Sequence, residues 1–384
     1  MSEPHRPIIL MANPSPDVYG ADLQMLESIT AMVEQHWDVV VALPRRGALA
    51  EKVKARGARV EIVQFPVLRR ANASPLEFFK ILFAGARSIW TIRKTVRQLG
   101  ACLVYVNTVT LPWWLLGARL AAVPTVCHVH EAETTDRRIV RMALNGPLIF
   151  ATAIIVISRS ALTAMCEVAP YLRQRSHLIY NGVPQPPAVP APAGRTPGSA
   201  VTLAVVGRLS PRKAPHLAVE TLSVLKKRDR NVSLDVCGTA FSGYEWYADQ
   251  LRCRADELGV SESVRWLGYV SPIWPVLANA DIVLAPSLRE PFGNAVVEAQ
   301  LSERPVVATA ALGHLETIAD GTTGLLIAEG DVAGFADAVE RIIDDPELAR
   351  NLAAQGRAAA LRRFSVPRYK QEIAALLHSL IDQS

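Results

Sequence analysis

Short runs of apolar, mostly β-branched residues recur along the 384-residue chain, and each is followed by turn residues and a helical pattern. The runs are continuous instead of alternating with polar positions, which is typical of parallel strands buried on both faces. Strands that alternate with helices predict parallel sheets with right-handed crossovers. We expect strands at PIILMANP, DVVVALP, RVEIVQFP, CLVYVNT, PTVCHVH and AIIVIS in the first half, and at VTLAVVGR, VSLDVCG, VRWLG, DIVLAPS, PVVATA and GLLI in the second.

A proline-rich stretch, residues 183–199, separates the two series of strands and cannot form a helix or a central strand. The pattern predicts an N-terminal Rossmann-like domain over 1–183, a linker over 184–199, and a C-terminal Rossmann-like domain over 200–362. A final amphipathic helix within 363–384 is expected to pack on the N-terminal domain. The predicted fold class is α/β, with two doubly wound domains facing across a cleft, where such sheets bind ligands at the carboxyl ends of strands.

The cysteine content and the apolar runs of the sequence indicate the cellular compartment of the protein. The five cysteines form no C-x-x-C pair, which favours a reducing compartment over a disulfide framework or a zinc site. The N-terminus is too briefly apolar for a signal peptide, and no apolar run reaches the roughly 18–20 residues that span a bilayer. We expect a cytoplasmic protein that contacts the inner face of the membrane peripherally.

Positive charge is concentrated in residues 45–100, where 13 Lys and Arg residues stand against three acidic ones. Ser74 and Glu77 form a capping box with Pro75 at the first helical position, so the pattern predicts a basic amphipathic helix over 75–99. Such a helix suits an anionic membrane surface; the alternative is a packed helix with a solvated basic face. The block lacks interleaved aromatics for stacking bases, so we expect no nucleic-acid partner.

The stretch EPFGNAVVE, residues 290–298, places two carboxylates around the start of a predicted helix. Gly293 and Asn294 open that helix, and its unpaired amides and dipole make an anion site. Glu290 is expected to point into the cleft, and Glu298 can accept two hydroxyl hydrogen bonds, as carboxylates that bind a ribose diol do. Together these features describe a nucleotide-sugar site; the alternative is a helix-terminal carboxylate and a solvated glutamate.

The stretch VVGRLSPRKAPHLAVE follows the first strand of the second domain. Arg208 and Lys213 flank its polar turn, and two cations at that spacing can bind a diphosphate and offset the charge that grows on it as a leaving group. The alternative is two surface cations on a loop. No Asp-x-Asp or His/Asp cluster is present, so we expect no metal cofactor.

Two further stretches follow strands of the first domain. Gly20 lies where the first strand turns into the first helix and permits close approach of a phosphate or sugar, although a helix-capping glycine explains it equally well. We expect His128 and His130, near the end of a strand, to point to opposite sides of that strand, so that they cannot share a metal ion.

These elements resemble the retaining GT-B-fold glycosyltransferases usually numbered family 4, or glycosyl transferases group 1. VGRLSPRK is similar to the family's G-R-L…K element, and EPFGNAVVE fits its E-x7-E signature. The P-V-V-A, glycine–x–x–Glu and D-G-x-T-G-x-L elements after residue 304 resemble the stretch that follows in the family. YNGVP and VISRS match weaker elements of the first domain.

The resemblance implies a role for each matched residue. Arg208 and Lys213 would contact the diphosphate, Glu290 the donor sugar and Glu298 the ribose. The strand-end histidine His130 would lie near the donor sugar and the acceptor, and Gly20 would lie on the first-domain side of the phosphate site. Backbone near Val270 would lie beside the base. The turn with Phe292, Gly293, Asn294 and Ala295 would bind the diphosphate.

The implied reaction moves a sugar from a UDP- or GDP-sugar donor to a glycan or lipid-linked acceptor, with retention and without a metal. Cell-surface polysaccharide or glycolipid synthesis is the implied setting. A non-catalytic nucleotide-sugar-binding protein of the same fold is the main alternative. The family's paired glycines are Gly20-Ala21 and Leu312-Gly313 here, and both departures line the donor-sugar region.

Overall fold

The structure, a computed structural model, describes residues 6–18, 20–68, 75–132, 137–189, 200–241 and 243–383. These residues form two compact units. The first comprises the described residues up to Gly182 together with those from Val366 onward, and the second runs from Val183 to Ser365. The predicted capping residue Ser74 and most of the predicted linker, residues 190–199, lie outside the described residues.

The first unit contains a sheet whose strands are β1 (Ile8–Ala12), β2 (Asp38–Leu43), β3 (Arg59–Ile62), β4 (Leu103–Val106), β5 (Thr125–Val129), β6 (Ala153–Val156) and β7 (Ser176–Leu178). They lie in the order β3-β2-β1-β4-β5-β6-β7, and every pair is parallel. Ala12 is level with Val106, and Val106 with Cys127, so β1, β4 and β5 end at the same edge. Strand β7 was not predicted, because Ser-His-Leu at the edge of a sheet carries no apolar run.

Helices cover both faces of this sheet: α1 (Gly20–Glu34), α2 (Ala48–Ala55), α3 (Pro75–Leu99), α4 (Pro112–Leu120), α5 (Arg138–Asn145) and α6 (Arg159–Cys166). Ile9 of β1 packs in the core on the α1 side, whereas the next residue, Leu10, packs on the α4 side. Both faces of the strand are therefore buried, which explains its continuous apolar sequence.

Helix α3 has a buried face and an exposed face. Ile92 and Val96 are fully buried, and a Cβ at Gly117 of α4 would come within 2.6 Å of Ile92, so the two helices pack closely. Phe83 and Trp90 are 76% and 66% exposed on the outer side. Part of the predicted apolar stripe is therefore core packing.

The second unit contains a parallel sheet with strands β8 (Val201–Val206), β9 (Val232–Cys237), β10 (Val264–Gly268), β11 (Ile282–Ala285), β12 (Val306–Thr309) and β13 (Leu325–Ile327), in the order β10-β9-β8-β11-β12-β13. Its helices are α7 (Pro215–Lys227), α8 (Glu245–Glu257), α9 (Trp274–Asn279), α10 (Asn294–Leu301), α11 (His314–Thr317), α12 (Val332–Asp344) and α13 (Pro346–Phe364). The predicted α/β class, with two parallel-sheet Rossmann-like domains, is confirmed.

The last helix, α14 (Val366–Ile381), belongs to the first unit. Tyr369 is fully buried there, and its hydroxyl lies 2.6 Å from Ser28 Oγ of α1. The His378 ring packs edge-on against Trp37 at 4.5 Å between centroids. The first unit therefore takes its final core element from the end of the chain.

Candidate functional site

A polar recess lies in the second unit, at the carboxyl ends of the neighbouring strands β8, β11 and β12. Its lining includes Arg208 and Lys213 after β8, Glu290 and Gly293 after β11, and His314 after β12. The carboxyl ends of parallel strands meet at one edge, which brings together residues that are far apart in sequence. Four of these five residues were predicted, and His314 was not.

Two glycines bring the chain at the ends of β8 and β9 into close contact. A Cβ at Gly238 would lie 1.8 Å from the Gly207 carbonyl oxygen, so no larger residue fits at Gly238 without moving that backbone. Gly207 itself has φ 151°, a conformation that favours glycine. Arg208 follows directly, exposed, with its guanidinium 5.4 Å from the centre of the Phe241 ring. The close contact of the two glycines therefore fixes the position of the backbone from which the Arg208 side chain extends.

Lys213 and Glu290 form an ion pair inside the recess, with Lys213 Nζ donating to Glu290 Oε2. Their side chains are only 21% and 12% exposed. Burial alone would raise the pKa of Glu290, but the positive charge of Lys213, with smaller contributions from His314 and Arg212, lowers it below its ordinary value. The sequence suggested a separate ligand for each residue, whereas the structure shows that each also neutralises the other.

Gly293 caps helix α10 in the left-handed conformation, with φ 105° and ψ 53°. Its carbonyl oxygen accepts from the amide of Val296 at 3.0 Å, which begins the helix. The first amides of a helix have no acceptor within it, and the helix dipole is positive there. Asn294 and Ala295 are the first residues of α10, and Ala295 lines the recess, so the amino end of this helix borders the recess.

Phe292, which was expected to contact the donor, is 2% exposed, and its ring packs against Phe364 with 5.2 Å between centroids. The structure therefore gives this side chain a packing role. The backbone of the same turn is held by Gly313, whose amide donates to the Glu290 carbonyl at 2.8 Å. A Cβ at Gly313 would lie 2.5 Å from Phe292 Cα, so a glycine is needed for this contact.

Glu298 lies on α10, one residue after the buried Val297, and is partly buried. Desolvation raises the pKa of Glu298 from 4.5 to about 7, against the smaller opposing effect of Lys213. Its charge also contributes to raising the pKa of Cys237, at the end of β9, for which burial is the larger cause. Val270 is partly buried and packs against the apolar cluster that contains Cys237.

His314 is a site residue that the sequence analysis missed. It is 1% exposed, and its Nδ1 donates to the Thr309 carbonyl at 3.0 Å, because a carbonyl oxygen only accepts. Burial lowers the pKa of His314, although the nearby Glu290 partly opposes this. A Cβ at Gly293 would come within 3.0 Å of His314 Cδ2, so the ring packs against the helix cap.

The remaining predicted residues lie in the first unit. Gly20 is exposed and is the first residue of α1, and a Cβ there would meet no atom within 4 Å. His130 directly follows β5, partly buried, with Nε2 3.0 Å from Asn107 Oδ1.

The expectation that His128 and His130 point to opposite sides of the strand is wrong. Their ring centroids are 4.0 Å apart. Side chains two positions apart along a strand share a face, since the side-chain period is two. In the part of the chain that the structure describes, no three His, Cys, Asp or Glu side chains converge as metal ligands.

Two protein-family patterns match the chain, one in each unit. Glycosyl transferases group 1 matches residues 193–359, and Glycosyltransferase Family 4 matches residues 18–185. Together they extend over most of both units.

Three curated relatives share segments of the chain. The putative glycosyltransferase EpsD of Bacillus subtilis is 35% identical over 164 residues, which are 43% of this chain and 42% of EpsD. D-inositol 3-phosphate glycosyltransferase of Corynebacterium glutamicum is 38% identical over 38% of this chain and 35% of the relative. The lipopolysaccharide core biosynthesis glycosyltransferase LpsE of Rhizobium meliloti is 35% identical over 44% of this chain and 47% of LpsE. The matched segments thus span less than half of each relative.

Solved structures share the fold over nearly the whole chain. HepE of Anabaena superposes with a TM-score of 0.81 at 24% identity, covering 97% of this chain and 99% of HepE. Sucrose-phosphate synthase of Thermosynechococcus elongatus gives 0.77 at 19% identity, covering 99% and 100%. Because the family patterns, the relatives and the fold agree, the chain belongs to the group 1 glycosyltransferases of GT-B fold.

Proposed function

We propose that this protein transfers a sugar from a nucleotide-diphosphate-sugar, a UDP- or GDP-sugar, to a glycan or lipid-linked acceptor in cell-surface polysaccharide or glycolipid synthesis. The observation that carries the proposal is the recess of the second unit. It combines Arg208, Lys213, Glu290 and the start of α10. Anabaena HepE, which has a similar fold, has been crystallised with UDP, with UDP-glucose, and with UDP and glucose.

In this proposal, Lys213, Arg208 and the amides at 293–295 bind the diphosphate. Their positive charge favours the product diphosphate more than the intact donor, because negative charge grows on it as the sugar leaves. The residues would act without a metal, since the guanidinium, the ammonium and the positive end of the α10 dipole would together offset the charge of the diphosphate. Backbone near Val270 would border the base, and Glu298 would accept from the ribose hydroxyls.

We assign retention of anomeric configuration to a front-face displacement. The bond between the anomeric carbon and the phosphate oxygen breaks, and the acceptor oxygen bonds to the same face of that carbon. The acceptor proton passes to the departing phosphate oxygen, so the products are the glycoside and the nucleoside diphosphate. Glu290 would contact the donor sugar from its ion pair with Lys213 instead of forming a covalent intermediate; a trapped glycosyl-Glu290 adduct would contradict this step.

The test is a screen of UDP-, GDP- and ADP-sugars by thermal shift, followed by measurement of nucleoside diphosphate release and product configuration by NMR. Lys213→Met should abolish release, whereas Lys227→Met, which alters an exposed lysine at the end of α7, should not. Activity should persist in EDTA; loss of activity that Mn²⁺ restores would contradict the metal-free reaction. A donor that binds without hydrolysis or transfer would favour the alternative, a non-catalytic nucleotide-sugar-binding protein.

The outer face of α3 supports contact with an anionic membrane. Phe83, Arg87, Trp90 and Lys94 are all exposed and follow one another at three- and four-residue spacing, so they share one side of the helix. Apolar rings between cations are the combination that anchors peripheral helices in the headgroup region of anionic bilayers. No helix among the described residues is both long and apolar enough to cross a membrane. We propose a cytoplasmic protein that docks peripherally through this face.

Sedimentation with vesicles tests this docking. Binding to anionic phosphatidylglycerol vesicles should weaken about tenfold, or roughly 1.4 kcal/mol, in Trp90→Ala. Trp246→Ala is the matched control, because Trp246 is 55% exposed but lies in the second unit. Equal binding to neutral and anionic vesicles, or equal effects of the two tryptophan substitutions, would contradict docking through α3.

A further inference from the structure

A chain of buried polar side chains crosses the carboxyl ends of three neighbouring strands in the first unit. Asn13 follows β1, Asn107 follows β4, His130 follows β5, and Asp22 lies in the first turn of α1. Asn13 Nδ2 lies 2.8 Å from Asp22 Oδ1, Asn107 Nδ2 lies 2.8 Å from Asn13 Oδ1, and His130 Nε2 lies 3.0 Å from Asn107 Oδ1. Asn13, Asp22 and Asn107 are at most 4% exposed. We call these four residues the relay.

The direction of the hydrogen bonds in the relay is fixed at one end. A backbone carbonyl oxygen only accepts, and Asn13 Nδ2 lies 2.8 Å from the Ser15 carbonyl oxygen as well as 2.8 Å from Asp22 Oδ1. The Asn13 amide nitrogen must therefore face them, which turns its Oδ1 towards Asn107. That oxygen needs a donor, so Asn107 presents its Nδ2 to Asn13 and its Oδ1 to His130.

The last step sets the histidine tautomer. Asn107 Oδ1 only accepts, so His130 must carry its ring proton on Nε2, which leaves Nδ1 with a lone pair. We propose that Asn13 and Asn107 are positioning residues that hold His130 in the Nε2–H tautomer, so that its Nδ1 accepts a hydrogen bond from a hydroxyl of a sugar substrate. The substrate part of this inference rests on the proposed function; the tautomer does not.

The surroundings favour a neutral ring. Burial lowers the pKa of His130 to about 4. The ring of His128 packs 4.0 Å away between centroids, and the pKa of His128 is also lowered, chiefly by burial and further by His130. The acidic groups nearby are Glu131, whose Oε2 accepts from the His130 backbone amide at 3.0 Å, and Asp22, at the far end of the relay. A neutral His130 can accept a hydrogen bond at Nδ1, and its single ring proton, on Nε2, is already donated to Asn107.

The tautomer can be read by NMR without any substrate. In protein labelled with ¹⁵N in its histidine rings, long-range ¹H–¹⁵N spectra separate Nε2–H from Nδ1–H rings, and His130→Gln identifies the signal. Wild-type protein should show the Nε2–H form at neutral pH and remain neutral to well below the ordinary histidine pKa of about 6.5. An Nδ1–H ring, or an imidazolium at neutral pH, would overturn the proposal. This measurement needs no relay variant that could fail to fold.

Asn107→Asp tests whether the relay controls the ring. The new carboxylate would still accept from Nε2–H, but it adds a negative charge, which should raise the pKa of His130 by about one to three units. Asn145→Asp is the matched control: Asn145 donates to the Arg141 carbonyl at 2.8 Å on α5, outside the relay. Equal titration of His130 in both variants would refute control by Asn107.

The substrate role has a separate readout. Asn107→Leu should lower kcat about tenfold or more, because the ring is no longer held in one tautomer. UDP binding, which the proposed function places in the second unit, should be unchanged. An unchanged kcat would refute the positioning role even if the tautomer is as inferred. If the wild type turns over no donor, the proposed function fails, and the NMR result still decides the relay.

Discussion

Glu298→Gln should stabilise the unliganded protein in neutral and alkaline solution while weakening nucleotide binding. Desolvation raises the pKa of this carboxyl group from 4.5 to about 7 in the folded protein. The unfolded chain therefore ionises first, and stability is lost as the pH rises from 4.5 towards 7. Above that range both states are ionised, and the loss is constant. Glutamine has no charge to desolvate, so the variant escapes this loss.

The size of the effect follows from the shift. One pKa unit corresponds to about 1.4 kcal/mol, so the full penalty is about 3 kcal/mol. Part of this penalty already acts on the wild type at about pH 5.5. The unfolding free energy of Glu298→Gln relative to the wild type should therefore grow by about 2 kcal/mol between about pH 5.5 and about pH 8.5. For a unit of this size, that is a difference in Tm of about 4–8 °C.

The assay is unfolding of both proteins by heat and by denaturant at the two pH values, with and without UDP. Glu262→Gln is the control, because Glu262 is an exposed glutamate of the same unit. UDP should stabilise the wild type more than the variant, since in the proposed function both carboxylate oxygens accept from the ribose, whereas glutamine has one acceptor oxygen. An advantage that is the same at both pH values, or larger in acid, would refute the desolvation of Glu298.

Three other outcomes are expected. Lys213→Met should cost about 3–5 kcal/mol of unfolding free energy, because it leaves the buried Glu290 carboxylate unpaired. The double variant Lys213→Met/Glu290→Gln should recover most of that loss. Equal stability of the single and double variants would argue against the ion pair. Gly293→Ala should cost about 1–3 kcal/mol, because φ is 105° there, and should weaken UDP binding in calorimetry; unchanged affinity would exclude the helix cap from the anion seat. Tyr369→Phe removes the 2.6 Å hydrogen bond to Ser28 and should cost about 1 kcal/mol in denaturant unfolding, with UDP affinity unchanged; a loss of UDP affinity would contradict its assignment to the first unit.

The fold could be read from the sequence wherever a strand is buried on both faces. β1 packs Ile9 and Leu10 into opposite cores, so nearly every residue must be apolar. β7 at the sheet edge escaped detection because its middle residue, His177, is exposed.

Candidate site residues could be predicted where they are consecutive in the sequence. They could not be predicted where the site depends on contacts between residues that are distant in the sequence. The turn from Glu290 to Asn294 could be predicted from its residue types and from the helical pattern that follows it. Nothing local indicates that Lys213 pairs with Glu290, or that His314 packs against Gly293, because neighbouring strands in the sheet bring them together. Phe292 shows the opposite failure, since a residue inside the motif proved to be core.

The first unit shows the same limit. Asn13 and Asn107 are 94 positions apart, and each alone is an ordinary polar residue after a strand. Only the order of β1, β4 and β5 in the sheet makes them neighbours. The error over His128 and His130 was different in kind, because strand periodicity alone places both on one face.

The discontinuity of the first unit has a consequence during translation. The α1 surface that Tyr369, Ile373 and Leu377 cover in the mature protein is made early, whereas α14 leaves the ribosome only after residues 183–365. At about 5–20 residues per second, that interval is roughly 10–40 s. Throughout it, the part of the nascent first unit that α14 later covers lacks its packing partner, so the core of that unit can be completed only near the end of synthesis.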